Sequence, residues 1–289
     1  MFTSFGQRGC DPDARPEVLS LDPKTAQAIA PILARVLIVD PAPASSRLLA
    51  ELLKNIGIGQ IWTAPSTELG LNLAGSVDPL LVFSEFAGES LDGVLFTRRL
   101  RRGNLACRKA PVIMVTAQAT PASIVAARDA GVHEFLRKPF AMKDLVRRLE
   151  AVAVKPRHWV EGVAYVGPDR RRFNSGDYRG ARRRLADATD EPVEARIIQS
   201  LKIVAAALRA IEIDRPQAFR ALNAQAAELQ HTGALVRRSA LVSAARGLQS
   251  RLVALGSADR LTCEAVEMEA LALLSYLPHE ARTDDRSAA

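Results

Sequence analysis

Four residues at the ends of short apolar runs are of types that could do chemistry together. "RVLIVD" ends in Asp40, "LLVFSE" in Glu85 and "HEFLRK" in Lys138, while "APVIMVTA" carries Thr116 near its tip. Two acids, a hydroxyl and a cation gathered at one place could receive a charged group, with lysine and hydroxyl holding it against a carboxylate. The same four could also settle into an ion pair that reacts with nothing. Ser84 adds a hydroxyl beside Glu85, but a serine in a buried strand without a nearby base is a poor nucleophile. A second set of candidates lies further along: Arg170, Arg171, Arg172, Arg182, Arg183 and Arg184, interleaved with Trp159, Tyr165, Phe173 and Tyr178. Guanidinium groups bind phosphates and stack on bases, and aromatic rings offer stacking platforms.

The elements that must position the first set alternate regularly. Arg35–Asp40 is a short β-branched apolar run, as a buried parallel strand requires. Ser45–Gly57 places Leu48, Leu49, Leu52, Leu53 and Ile56 at helical spacing and stops at glycine. "QIWTA", Leu80–Glu85, Ala110–Ala117 and "HEFLRK" give four more strands. Helices are predicted over Thr67–Ala74, Asp92–Arg102, Pro121–Ala130 and Met142–Ala153. Strands alternating with helices imply right-handed crossovers and an open parallel sheet covered on both faces. In such sheets the chemistry sits at the carboxyl ends of the strands. Asp40, Glu85, Thr116 and Lys138 are the residues at those ends.

The flanks read differently. Residues 1–34 form an extension, expected to be poorly ordered apart from one short helix opened by Asp22 and Pro23. From residue 156 to 189 no period is sustained. Tyr165–Arg171 and Tyr178–Arg184 repeat as Tyr-x-Gly-x-x-Arg-Arg, and Pro156–Leu185 holds eight arginines against three acids. That local excess accounts for most of the net charge of +7, so the charge describes one segment and does not mark the whole chain as nucleic-acid binding. Residues 190–278 predict four amphipathic helices joined as an antiparallel bundle. The second opens on a capping box, Asp214 with Gln217, the third ends at Gly256, and the fourth runs from about Thr262 to Pro278. A disordered tail is expected over 279–289. Cys10, Cys107 and Cys263 fit neither a metal-ligand spacing nor a disulfide framework, which suits a reducing cytoplasm. The N-terminus lacks the apolar core of a secretory signal, and no membrane span is expected.

Residues 35 to about 153, some 40% of the chain, resemble a CheY-like response-regulator receiver domain. The strongest stretch is "AGVHEFLRKPF", close to that family's aromatic-x-x-Lys-Pro-Phe ending. "PVIMVTA" is similar to the strand that ends in its switch hydroxyl, and "LDG" to the loop before its third helix. The resemblance implies roles. Asp40 stands at the first of two adjacent metal-binding acids, Glu85 at the phosphoacceptor, Thr116 at the switch hydroxyl, Phe135 at the switch aromatic and Lys138 at the lysine that pairs with the phosphoryl group. Two positions depart from the family. Pro41 stands where the second acid belongs and brings neither a carboxylate nor an N–H. Glu85 replaces the nucleophilic aspartate; its extra methylene shifts the carboxylate by roughly 1 Å, a scale at which misplacement is costly.

These departures predict a degenerate receiver, without catalysis, metal or cofactor, that acts by protein–protein interaction in a phosphorelay. Its expected partners are a histidine kinase, a phosphotransfer protein or a downstream regulator. Glu85 would either imitate the phosphorylated charge pattern or form an ion pair with Lys138 in a docking scaffold. One alternative is a regulator still phosphorylated at Glu85. The other is a nucleic-acid or cyclic di-GMP effector working through the arginine segment, by analogy with PilZ-type domains, whose Asn-x-Ser-x-x-Gly "NSGDYRG" does not reproduce. The bland reading of that segment is a linker whose Tyr and Pro pack on the receiver. The helical module weakly resembles histidine-phosphotransfer domains. On that register Ala227 stands at the histidine and His231 lies one turn later; a plain dimerising bundle accounts for the same pattern.

Overall fold

The computed structural model describes residues 23–57, 59–154, 157–170 and 193–278. Arg171, Arg172 and Arg182 to Arg184, the second Tyr-x-Gly-x-x-Arg-Arg repeat, the start of the N-terminal extension and the tail from 279 lie outside them.

The predicted alternation is realised as a parallel sheet of five strands, β1 (Arg35–Val39), β2 (Gln60–Ala64), β3 (Leu81–Glu85), β6 (Val112–Thr116) and β7 (Glu134–Arg137), in the order β2-β1-β3-β6-β7. Between β3 and the next helix, β4 (Ala87–Gly88) and β5 (Leu91–Asp92) form a two-residue antiparallel pair. Successive strand residues point to opposite faces, and the core divides accordingly. Val36, Ile38, Leu81, Phe83, Ile113, Val115 and Leu136 face α1 (Pro23–Leu33), α2 (Pro43–Lys54) and α6 (Met142–Val154). Leu37, Val39, Val82, Met114 and Phe135 face α3 (Thr67–Val77), α4 (Gly93–Arg102) and α5 (Pro121–Ala130). α1 packs on α6 and buries Ile29 and Leu33, each worth about 1.5–3 kcal/mol.

Helix starts follow local chemistry. Ser66 and Asp92 cap α3 and α4 through their side-chain oxygens, and Thr120 and Ser123 form a reciprocal capping box at α5. α2 begins at Pro43, two residues before the expected start, because proline suits the first helical position.

In 157–170, where the sequence has no period, the chain forms an antiparallel hairpin, β8 (Trp159–Glu161) with β9 (Val166–Pro168). It is held by side chains more than by pattern: the Tyr165 hydroxyl donates to the Pro168 carbonyl at 2.5 Å, and Val166 is buried. Gly167 is needed because a Cβ there would lie 2.7 Å from the Gly131 Cα.

The C-terminal region is four helices, α7 (Val193–Arg209), α8 (Arg215–Leu235), α9 (Ser239–Leu255) and α10 (Cys263–Leu274). Ile197, Leu201 and Val204 meet Leu222, Ala226 and Leu229, then Leu241, Ala245, Leu248 and Leu252, then Val266 and Leu273, all at helical spacing. α10 ends at Leu274, short of Pro278. Among the described residues no helix is long and apolar enough to cross a membrane. Cys107 is buried and Cys263 exposed, both as free thiols.

Candidate functional site

Parallel register gathers the four candidates. Val39 pairs with Ser84, Glu85 with Val115 and Thr116 with Arg137, so Asp40, Glu85, Thr116 and Lys138 end neighbouring strands at one edge. The Lys138 ammonium sits among acceptors. It donates to Glu85 Oε2 at 2.6 Å, to Asp40 Oδ2 at 3.1 Å and to Ser45 Oγ at 2.6 Å. The remaining carboxylate oxygens are also engaged: Glu85 Oε1 accepts from the Phe86 N–H at 2.8 Å, and Asp40 Oδ1 from the Ala42 N–H at 2.8 Å. Side-chain exposure is 24% for Lys138, 12% for Glu85 and 7% for Asp40, so the cluster is shielded enough for charge to matter. Burial alone would lower the Lys138 pKa. The hydrogen bonds to Glu85 and Asp40 outweigh it and hold the ammonium above its ordinary range.

Thr116 is buried beside this cluster, but its Oγ1 accepts from the Gln118 N–H at 3.2 Å within its own loop. Thr116 is tied to Lys138 through backbone, its carbonyl accepting from the Lys138 N–H at 2.7 Å. Phe135 is turned inward, 3% exposed, among Val39, Val82, Phe96 and Met114. Ser84 is buried and donates to the Glu85 carbonyl at 3.0 Å. Pro41 meets the loop after Glu85: a Cβ added at Gly88 would lie 2.4 Å from Pro41 Cγ.

The family implies a divalent cation here, and the donors present do not fit one. A hard divalent ion needs about six oxygen ligands, anionic ones above all. The two carboxylates already share one ammonium, and the place of a third is taken by a proline ring wedged against Gly88. What the arrangement does chemically is bridge two acids with one lysine, leaving one negative charge on the cluster.

Ser45 was not legible as a member of this cluster. It follows Asp40 by five residues, and only the first turn of α2 folds it back onto Lys138.

Of the other candidates, Arg170, Ala227 and His231 are among the described residues. Arg170 forms an ion pair with Asp129 at 3.1 Å and lies 4.4 Å over the Tyr165 ring. Ala227 and His231 are exposed within α8. The predicted capping box at α8 is half made. Asp214 accepts from the Gln217 N–H at 3.1 Å, but the Gln217 side chain is drawn away to donate to Glu161 Oε1 and to the Gly162 carbonyl, both at 3.0 Å.

A five-stranded doubly wound sheet whose strand tips carry two carboxylates, a hydroxyl and a lysine is the receiver fold. Residues 36–150 match the response regulator receiver domain family. The "Probable chemotaxis protein CheY" of Rhizobium etli is 34% identical over 118 residues, covering 41% of this chain and 91% of that protein. The KDP operon transcriptional regulatory protein KdpE of Escherichia coli is 32% identical over 117 residues, covering 40% of this chain and 50% of that protein. A solved two-component response regulator from Clostridium difficile is 23% identical, covering 42% of this chain and 97% of that one, with a TM-score of 0.39. The chain belongs to the response regulator receiver family, a family of two-component signalling domains and not a classical enzyme family. The C-terminal helices lie beyond the matched residues and are unassigned.

Proposed function

We propose that this is a degenerate receiver, acting in the cytoplasm through protein–protein contacts in a two-component or phosphorelay pathway, with Glu85 as a fixed ion-pair partner and not a phosphoacceptor. The observation that carries this reading is the Lys138 ammonium, bonded to both Glu85 and Asp40 while the other oxygen of each carboxylate accepts a backbone N–H. An ammonium at 2.6 Å offsets the charge that a nucleophilic carboxylate would bring to the attack. The mimic reading has less support, since a phosphoryl-like Glu85 would accept from the Thr116 hydroxyl, and Glu85 takes its donors from Lys138 and the Phe86 N–H instead. The effector reading has less again: of its six arginines, the one among the described residues, Arg170, is paired with Asp129.

In this reading the chain is organised as an extension to residue 34, a receiver over 35–155, a connector over 156–189, a bundle over 190–278 and a tail. Receivers partner histidine kinases; here the partners are a kinase, a phosphotransfer protein or a downstream regulator that docks without phosphorus changing hands. The bundle serves as a docking or dimerising module. With Ala227 where its faint likeness to phosphotransfer domains would want a histidine, it carries no phosphoryl group.

The test is chemical. The purified chain is incubated with a small-molecule phosphodonor and magnesium, and its intact mass is measured. The reading expects no acid-labile adduct; an adduct that disappears in Glu85→Ala would overturn it.

A further inference from the structure

The receiver, the hairpin and the bundle meet at one carboxylate. Glu161 is 5% exposed and takes a donor at each of its four lone-pair positions. Oε1 accepts from Arg108 Nη2 at 2.7 Å and Gln217 Nε2 at 3.0 Å; Oε2 accepts from Arg108 Nη1 at 3.1 Å and Trp159 Nε1 at 2.8 Å. Its backbone carbonyl accepts from Gln225 Nε2 at 3.1 Å. Arg108 comes from the 3₁₀ turn Ala106–Lys109 of the receiver, and Gln217 and Gln225 from α8 of the bundle. Arg102 supports the same junction, with Asp214 at 3.0 Å and the Val163 carbonyl at 2.6 Å, while Arg220 returns from α8 to Asn104 and the Arg102 carbonyl, both at 2.8 Å.

One element joins this junction to the acid–lysine pocket. α4 is ten residues long, about 15 Å. At its start the Gly93 N–H donates to the Phe86 carbonyl at 2.9 Å, and a Cβ on Gly93 would lie 2.1 Å from the Glu85 carbonyl. At its end lie Arg101 and Arg102. Arg101 is fully buried, donates to the carbonyls of Gly131, Arg108 and Ala110, and is covered by the Trp159 ring, 5.4 Å from its guanidinium.

We propose that Glu161 is a latch holding the helical bundle on the α4 corner of the receiver, and that α4 couples this latch to the Glu85–Lys138 pocket, so that loosening either loosens the other. Reciprocity follows because a coupling free energy between two sites acts equally in both directions. The surface by which this receiver meets its own output is then the α4 corner and the 3₁₀ turn, with α8 as the partner. The inference does not depend on whether the pocket accepts phosphorus.

Protonation probes the latch. All four of its partners are donors, so a neutral Glu161 must give up at least one of them. The charged groups around it are Arg108 and Lys109 from the 3₁₀ turn, Arg101 and Arg102 from α4, and Arg220 and Asp214 from the bundle side. The cations outnumber Asp214 and favour the carboxylate.

Hydrogen exchange on the full chain tests the proposal, comparing wild type, Glu161→Gln and Glu85→Gln at pH 7. In Glu161→Gln, exchange should rise about tenfold or more over 157–168 and 215–225, with a smaller rise over 86–93, while β1, β3 and β6 stay protected. Glu85→Gln should raise exchange over 157–168 in return. A Glu161→Gln variant of native circular dichroism with unchanged exchange over 157–168 would overturn the latch. An opened hairpin with 86–93 unmoved, or Glu85→Gln without effect on 157–168, would overturn the coupling. If Glu161→Gln does not fold, wild type taken well below pH 4.5, with exchange referenced to unstructured peptides, should show the same two segments opening; their staying closed would overturn the latch.

Discussion

Replacing Lys138 by Met would leave Asp40 and Glu85 facing each other with no cation between them. Stripping one partner from a largely buried charge cluster costs about 3–5 kcal/mol, and the exposure of Lys138 puts this case toward the lower figure. The variant should unfold at markedly lower denaturant at pH 7, as chemical denaturation reads. Wild type has a pH dependence at the alkaline end, followed by the same measurement. Because the folded state holds the Lys138 pKa above its ordinary 10.5, the stability from its pairing is complete below that value and fades as pH rises through the raised one. Glu85→Gln is milder. It keeps an acceptor for the Phe86 N–H and loses only the charge against Lys138, about 1.5–3 kcal/mol by the same denaturation measurement. If Glu85 were an imitation of the phosphorylated state, this substitution would also change downstream output; an ion-pair role expects output to follow stability alone.

At the scale of elements, the sheet depends on close backbone approaches that only glycine permits. Gly93→Ala would drive a methyl group into the Glu85 and Phe86 carbonyls at 2.1 and 3.0 Å, forcing α4 off the pocket loop at a cost of about 3 kcal/mol. Gly131→Ala meets two penalties, a positive φ of 95° and the Val166 carbonyl at 2.7 Å, and should detach the hairpin as well as lower the Tm. Melting curves of both variants, with hairpin exchange followed in parallel, check this. The sequence made the strand–helix alternation legible because it rests on local apolar periodicity, and α5 and β2 begin and end where the pattern says. The hairpin escaped because it is specified by distant partners. Trp159 lies against Arg101 of α4, and Glu161 takes its donors from Arg108 and Gln217. Within the pocket, the acids and lysine could be read from strand ends, whereas Ser45 enters through helix geometry and Gln217 leaves its capping role for a tertiary acceptor.

Across the whole molecule, receiver and bundle are joined through a buried carboxylate, Glu161, and that makes the junction sensitive to acid. Burial would raise the Glu161 pKa, but Arg108, Trp159 and Gln217 hold it below its ordinary 4.5. The stability it contributes is therefore present above that value and lost as pH falls through the lowered one. Trp159 donates directly to Glu161 and reports the change. In a Trp62→Phe background, which leaves one of the chain's two tryptophans, a fluorescence transition is expected below pH 4.5 and should be missing when Glu161 is Gln.

The claim on which the proposed function depends is that an ammonium, not a metal, serves the two carboxylates at the strand tips. Crystals soaked in magnesium and beryllofluoride test it most directly. The account predicts Lys138 still bonded to Asp40 and Glu85, with neither reagent seated among them. Beryllofluoride on the Glu85 carboxylate, with magnesium beside Asp40, would contradict it.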